Sequence, residues 1–190
     1  MRKSLLFVWA CMGLVCLMSA CKTSVKSKEW KLVWVEDFDQ KNSFDESVWT
    51  KIPRGTSDWN NYMSYYDSCY AMQDGNLILR GIANHTQKND TAPYLTGGVY
   101  TKGKKLFTGG RVEVCARLQA AKGAWPAIWM LPEKAEWPKG GEIDIMERLN
   151  HDRIAYQTTH SYYTHILGIK DNPPHGGINK INPEEYNIYS

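Results

Sequence analysis

Hydrophobic and polar residues alternate with a period of two from Val112 to Leu118. Val112, Val114, Ala116 and Leu118 fall on one side, and Glu113, Cys115 and Arg117 on the other. This is the signature of a strand with one buried face. Comparable β-forming runs occur at Lys31–Glu36, Leu77–Ile82, Gly97–Thr101, Arg111–Leu118, Ala127–Leu131, Gly141–Met146 and Ile154–His160. Asp74-Gly75-Asn76, Gly109-Gly110, Lys122-Gly123 and Lys139-Gly140-Gly141 punctuate them as turns. No long stretch after the N-terminus keeps a helical period with caps at both ends. Many short strands separated by turns predict an all-β antiparallel sandwich or barrel. Lys170–Asn182, rich in Asn, Pro and Gly, is expected to be a long surface loop, and Tyr186–Ser190 the start of a strand.

The N-terminus breaks this pattern. Arg2 and Lys3 precede an apolar run, Leu5–Leu17, that is too short for an ordinary membrane span and is followed by small residues and Cys21. Residues 1–20 therefore read as a secretory signal. Leu17-Met18-Ser19-Ala20-Cys21 resembles the lipobox of bacterial lipoproteins, with Met18 where Leu is usual, and so implies lipidation at Cys21. Plain secretion with an incidental cysteine is the alternative. Residues 21–29 read as a polar tether and residues 30–190 as one domain. Lys22 after the cysteine points to an exported outer-membrane lipoprotein, facing the periplasm or the cell surface.

Composition narrows the function. Of the five cysteines, Cys11 and Cys16 lie in the signal and Cys21 is the lipid site. Cys69 and Cys115 remain, which is too few for a disulfide framework; two buried thiols are expected, with a pair between them as the alternative. Removing residues 1–20 takes away two basic residues and no acid, leaving 21 Lys and Arg against 20 Asp and Glu. No basic face for nucleic acid is implied. Eight Trp and eleven Tyr suit either a core or a groove that stacks on flat apolar ligand faces.

The segment with the most chemistry is Gly140-Gly141-Glu142-Ile143-Asp144-Ile145-Met146-Glu147. On a regular strand Glu142 and Asp144 share a face and Glu147 points away. A β-bulge between Asp144 and Glu147 would bring all three to one side. Glycoside hydrolysis needs two carboxyl groups flanking the scissile bond. Crowding such groups raises the proton affinity of one member while another stays ionised. From the acids alone, a calcium site or a charged sheet face stands beside a catalytic pair.

Trp125-Pro126-Ala127-Ile128-Trp129-Met130-Leu131, followed by Trp137-Pro138-Lys139-Gly140-Gly141 and the acidic segment, resembles glycoside hydrolase family 16. The likeness is to its laminarinase and mixed-linkage β-glucanase branches. Trp34–Phe38, Asp74-Gly75-Asn76-Leu77, Gly97–Lys102 and Gly110–Glu113 agree in order. The resemblance covers roughly residues 30–190. It implies a jelly-roll β-sandwich of the concanavalin A type, a concave cleft and a retaining mechanism. By position, Glu142 would be the nucleophile, Asp144 its polarising neighbour and Glu147 the acid/base. Trp125 and Trp129 would line subsites, Trp129 with ordinary core packing as the alternative. His160 would lie close to the acid/base or be structural, and Asn61 would hydrogen-bond a sugar. The implied substrate is an unsubstituted β-1,3- or mixed β-1,3/1,4-glucan. A galactanase acting on agar or porphyran, and a non-catalytic glycan-binding lipoprotein, are the rivals. No cofactor or metal site is expected, although many relatives bind a structural calcium. The chain is expected to act as a monomer, to engage the membrane only through Cys21, and to be truncated at its C-terminal end.

Overall fold

The computed structural model describes residues 30–40 and 42–190. The signal, the tether and the lipidation site at Cys21 lie outside the described residues. The chain divides into a unit ending at Glu36 and a second from Asp37 to Ser190. Lys31–Glu36 carries no regular secondary structure, contrary to the strand expected there. β propensity alone does not make a strand; a ladder partner is required, and no described strand pairs with this segment.

Among the described residues of the second unit there are twelve strands. They are β1 (Thr50–Lys51), β2 (Tyr70–Gln73), β3 (Asn76–Leu79), β4 (Gly81–Ala83), β5 (Tyr94–Thr96) and β6 (Val99–Tyr100). Then follow β7 (Val114–Ala116), β8 (Ala127–Met130), β9 (Glu142–Glu147), β10 (Ile154–His160), β11 (Gly176–Lys180) and β12 (Asn187–Tyr189). Helical structure is limited to a 3₁₀ turn, Asp67–Cys69, and one π-type turn, Tyr162–Ile166. The expected single run Leu77–Ile82 is divided at Arg80 between β3 and β4.

The β2–β3 hairpin turns on Asp74 and Gly75, both with positive φ (51° and 70°). Asp-Gly tolerates this backbone, which matches the right-handed twist of the flanking strands. The central sheet has the order β11-β10-β9-β8, all antiparallel, and β12 pairs with β7. The segment expected to be a loop, Lys170–Asn182, thus contains an edge strand. Gly176 and Gly177 lie opposite Thr158 and Gln157 in the ladder, so pairing with β10 overrides a turn-like composition.

The core lies between these two sheets. Ile145 and Met146 of β9, Ala155 of β10, Tyr189 of β12 and Leu118, just past β7, are buried together, with Ala116, Ile128 and Met130 packed against them. The period-two reading of β7 holds for its inward residues. It also accounts for Cys115, which is exposed, whereas Cys69 is buried. Two buried thiols were expected; Cys115 sits on the outward phase of β7, next to inward Val114 and Ala116, and β-strand alternation decides the matter.

Candidate active site

β9 runs between β8 and β10, and its register with both is interrupted at the same place. Glu142 lies opposite His160, Ile143 opposite Thr159 and Asp144 opposite Thr158, but Glu147 lies opposite Tyr156. Across the other edge, Asp144 faces Trp129 and Glu147 faces Ala127. Three residues on β9 thus span what two span on each neighbour, and Ile145 is the extra residue of a β-bulge. Tyr156, Thr158 and His160 alternate on β10 and share one face, so Glu142, Asp144 and Glu147 share it too. The bulge anticipated between Asp144 and Glu147 is present.

Each glutamate receives an indole N–H. Trp125 Nε1 donates to Glu147 Oε1 at 2.7 Å, and Trp137 Nε1 donates to Glu142 Oε2 at 2.5 Å. Both rings are nearly half exposed, at 46% and 48%. Trp125 is held by a loop tied to the end of β9. Arg148 N donates to Pro126 O, Asn150 N to Ala124 O, and Gly123 N to Asn150 Oδ1 at 2.7 Å. The buried Arg148 guanidinium adds bonds to Leu118 O and to Asp152 O. Trp137 is folded back onto Glu142 by a tight turn in which Gly140 N donates to Glu136 O and Gly141 N to Pro138 O. A Cβ on Gly140 would lie 2.4 Å from Pro132 Cγ and 2.5 Å from Ala135 Cβ. Only glycine allows that approach.

Asp144 is 4% exposed. Its burial, then the charges of Glu147 and Glu142, then a hydrogen bond with Glu142 raise its pKa from 3.8 to about 7. His160 Nε2 is 3.2 Å from Asp144 Oδ2 but out of line for a hydrogen bond. While Asp144 holds its proton, this contact is not an ion pair. In the ladder His160 lies opposite Glu142, and its ring reaches Asp144, the acid between the two glutamates.

The raised pKa has a consequence for stability. Between pH 3.8 and about 7 the folded protein keeps a proton on Asp144 that the unfolded chain releases. This contribution is greatest below pH 3.8 and falls as pH rises through the window. Asp144→Asn should remove a slope of up to about 1.4 kcal/mol per pH unit. Urea unfolding of both proteins at several pH values measures it. Parallel wild-type and variant curves would contradict the assignment.

Trp129 faces the acid side opposite Asp144, and its ring meets Trp59 edge-on at 5.1 Å. That puts Trp129 on the same side of the sheet as Asp144. Asn61 sits in the turn just after Trp59, with its N–H on Ser57 O and its buried Oδ1 without a hydrogen-bond partner. Three residues missing from the sequence-based site join it: Trp59, Trp137 and His165. His165 meets the Trp137 ring edge-on at 4.5 Å, with His160 6.0 Å away. It is carried by the π-type turn, whose start is capped reciprocally by Ser161 and Thr164. The Ser-x-x-Thr spacing was a readable signal for the turn; its docking on Trp137 had none. Among the described residues, no group of three or more His, Cys, Asp or Glu is arranged to hold a metal ion.

Comparison with known proteins gives the site a context. The model of the XgeA-like catalytic GH16 domain matches residues 70–176. The keratan-sulfate endo-1,4-beta-galactosidase of Sphingobacterium multivorum is 42% identical over 144 residues, 73% of this chain and 34% of that protein. The beta-glucanase of Rhodothermus marinus is 34% identical over 163 residues, 80% of this chain and 56% of that protein. The chain thus spans 34% and 56% of the length of these two relatives. In three dimensions it is similar to the laminarinase from Rhodothermus marinus, with TM-score 0.72 and 30% identity over 85% of this chain and 66% of that one. The fold is the jelly-roll β-sandwich expected from the sequence, and the chain belongs to glycoside hydrolase family 16.

Proposed function

We propose that this chain carries the catalytic site of a retaining endo-glycosidase acting on β-1,3- or mixed β-1,3/1,4-glucans. One observation carries the reading: a bulged strand presents Glu142, Asp144 and Glu147 on one face, with an indole donor on each glutamate. Glu142 attacks the anomeric carbon while Glu147 protonates the departing oxygen. Glu147 then takes a proton from the water that releases the glycosyl-enzyme. Asp144, neutral up to about pH 7, hydrogen-bonds Glu142 and does not compete with it as an anion. The rings of Trp125, Trp129 and Trp59 offer apolar faces for sugars, whereas Asn61 Oδ1 is buried and does not face a ligand as it stands. The likeness to a beta-glucanase and a laminarinase supports the glucan assignment.

A second reading is a galactanase of the same family. Its support is the 42% identity to a keratan-sulfate endo-1,4-beta-galactosidase. Against sulfated polymers, the side chains in contact with the acids are Trp125, Trp137 and His160, whereas sulfate recognition favours Arg. A purely glycan-binding role leaves the paired glutamates without a purpose. Export and a lipid anchor at Cys21, with a monomeric enzyme at the membrane, complete the proposal and rest on the sequence.

Reducing-end release from laminarin, barley glucan, agarose, porphyran and keratan sulfate tests it. Cleavage of the glucans supports the first reading and cleavage confined to galactans the second. Binding without turnover on any polymer would sink both.

A further inference from the structure

Each reacting carboxylate has one oxygen engaged by an indole N–H, and the two donors come from different segments. We propose that Trp137 and Trp125 are separate positioning residues that decide which oxygen of each glutamate reacts. Trp137 Nε1 occupies Oε2 of Glu142, leaving Oε1 to attack the anomeric carbon. Trp125 Nε1 occupies Oε1 of Glu147, leaving Oε2 to carry the proton that goes to the departing oxygen. The inference rests on the glycosidase reading and extends it to residues outside β9.

The two donors act on opposite charge changes. As the bond from Glu142 to the sugar forms and the glycosidic C–O bond breaks, negative charge disperses from Glu142. Glu147 loses its proton to the leaving oxygen in the same step, so negative charge develops on it. A fixed N–H aimed at developing charge lowers the barrier directly, so Trp125 acts on proton transfer. An N–H on Glu142 mainly fixes the direction of attack, so Trp137 acts whatever the leaving group. His165, edge-on to the Trp137 ring at 4.5 Å and carried by the capped turn Tyr162–Ile166, keeps that indole in place. The Trp125 loop is fixed independently, through Pro126 O and Ala124 O on the backbone after Glu147.

The experiment compares Trp125→Phe and Trp137→Phe on the polymer and on an aryl glycoside whose phenolate leaves without protonation. Benzothienylalanine at each position serves as a second variant, which keeps the two-ring shape and lacks the N–H. Losing a hydrogen bond to a charged group predicts about a ten- to hundredfold fall in kcat. For Trp125 variants that fall is expected on the polymer and largely absent from the first step on the aryl glycoside. For Trp137 variants it is expected on both, with KM little changed. Nitrogen-15 spectra of the indoles supply a readout without turnover: Glu147→Ala should shift the Trp125 N–H alone, and Glu142→Ala the Trp137 N–H alone. An active wild type whose Trp125 variants lose the same factor on both substrates, or whose indole signals ignore the two alanine substitutions, overturns the inference alone. A wild type that hydrolyses nothing overturns the glycosidase reading, and the inference falls with it.

Discussion

Glu142→Gln is expected to lower hydrolysis of the preferred polymer by a factor on the order of 10⁴ or more, the scale seen when a covalent nucleophile is removed. The substitution keeps the size of the side chain. Its amide oxygen can still accept from Trp137 Nε1, so the turn that brings Trp137 onto β9 has no reason to move. What disappears is the negative charge that attacks the sugar. The same change removes one of the charges that raise Asp144, so the Asp144 pKa should fall toward its ordinary value. Binding should survive, because the rings of Trp125, Trp129 and Trp59 are untouched. Measuring reducing ends together with retention on insoluble glucan separates the two effects. Turnover within tenfold of the wild type would remove Glu142 from the mechanism.

The second large effect concerns the strand that carries the acids. Met146 is fully buried at 0% exposure, whereas Ile143 on the same strand is 51% exposed. Met146→Ala should leave a cavity between β9 and the core residues Leu118, Ala155 and Tyr189, destabilising the protein by about 2–5 kcal/mol. Ile143→Ala, which uncovers little new surface, should cost well under half of that. Met146 also lies within the bulge, next to Glu147, so a collapse there moves the acid/base. Urea unfolding at fixed pH, with kcat measured on the same samples, tests both statements. Equal losses for the two variants would mean that β9 is not packed as described.

The acids at offsets zero, two and five required either a bulge or a split site, and the local sequence was enough to say so. The Asp74-Gly75 hairpin and the inward phase of β7 were legible for a similar reason, since each depends on neighbours in the chain. The Lys31–Glu36 run read as a strand and is not one, while the Pro- and Gly-rich stretch before Ile181 read as a loop and contains β11. Both depend on a partner distant in sequence, which local propensity does not encode. His160 is a further case: its place opposite Glu142 is set by the pairing of β10 with β9, which the local sequence does not encode.

Taken alone, then, the amino-acid sequence determined an all-β chain, the acidic strand, the need for an irregularity within it, and the kinship those residues carry. Period-two alternation and turn chemistry act over a few residues, so they survive being read in one dimension. Tertiary structure decided the rest. It set an indole on each glutamate, docked His165 against Trp137, and buried Asp144 enough to hold a proton up to about pH 7. Hydrogen-bond direction and desolvation depend on which segments meet in space, and pairings across the cleft leave no periodic trace along the chain.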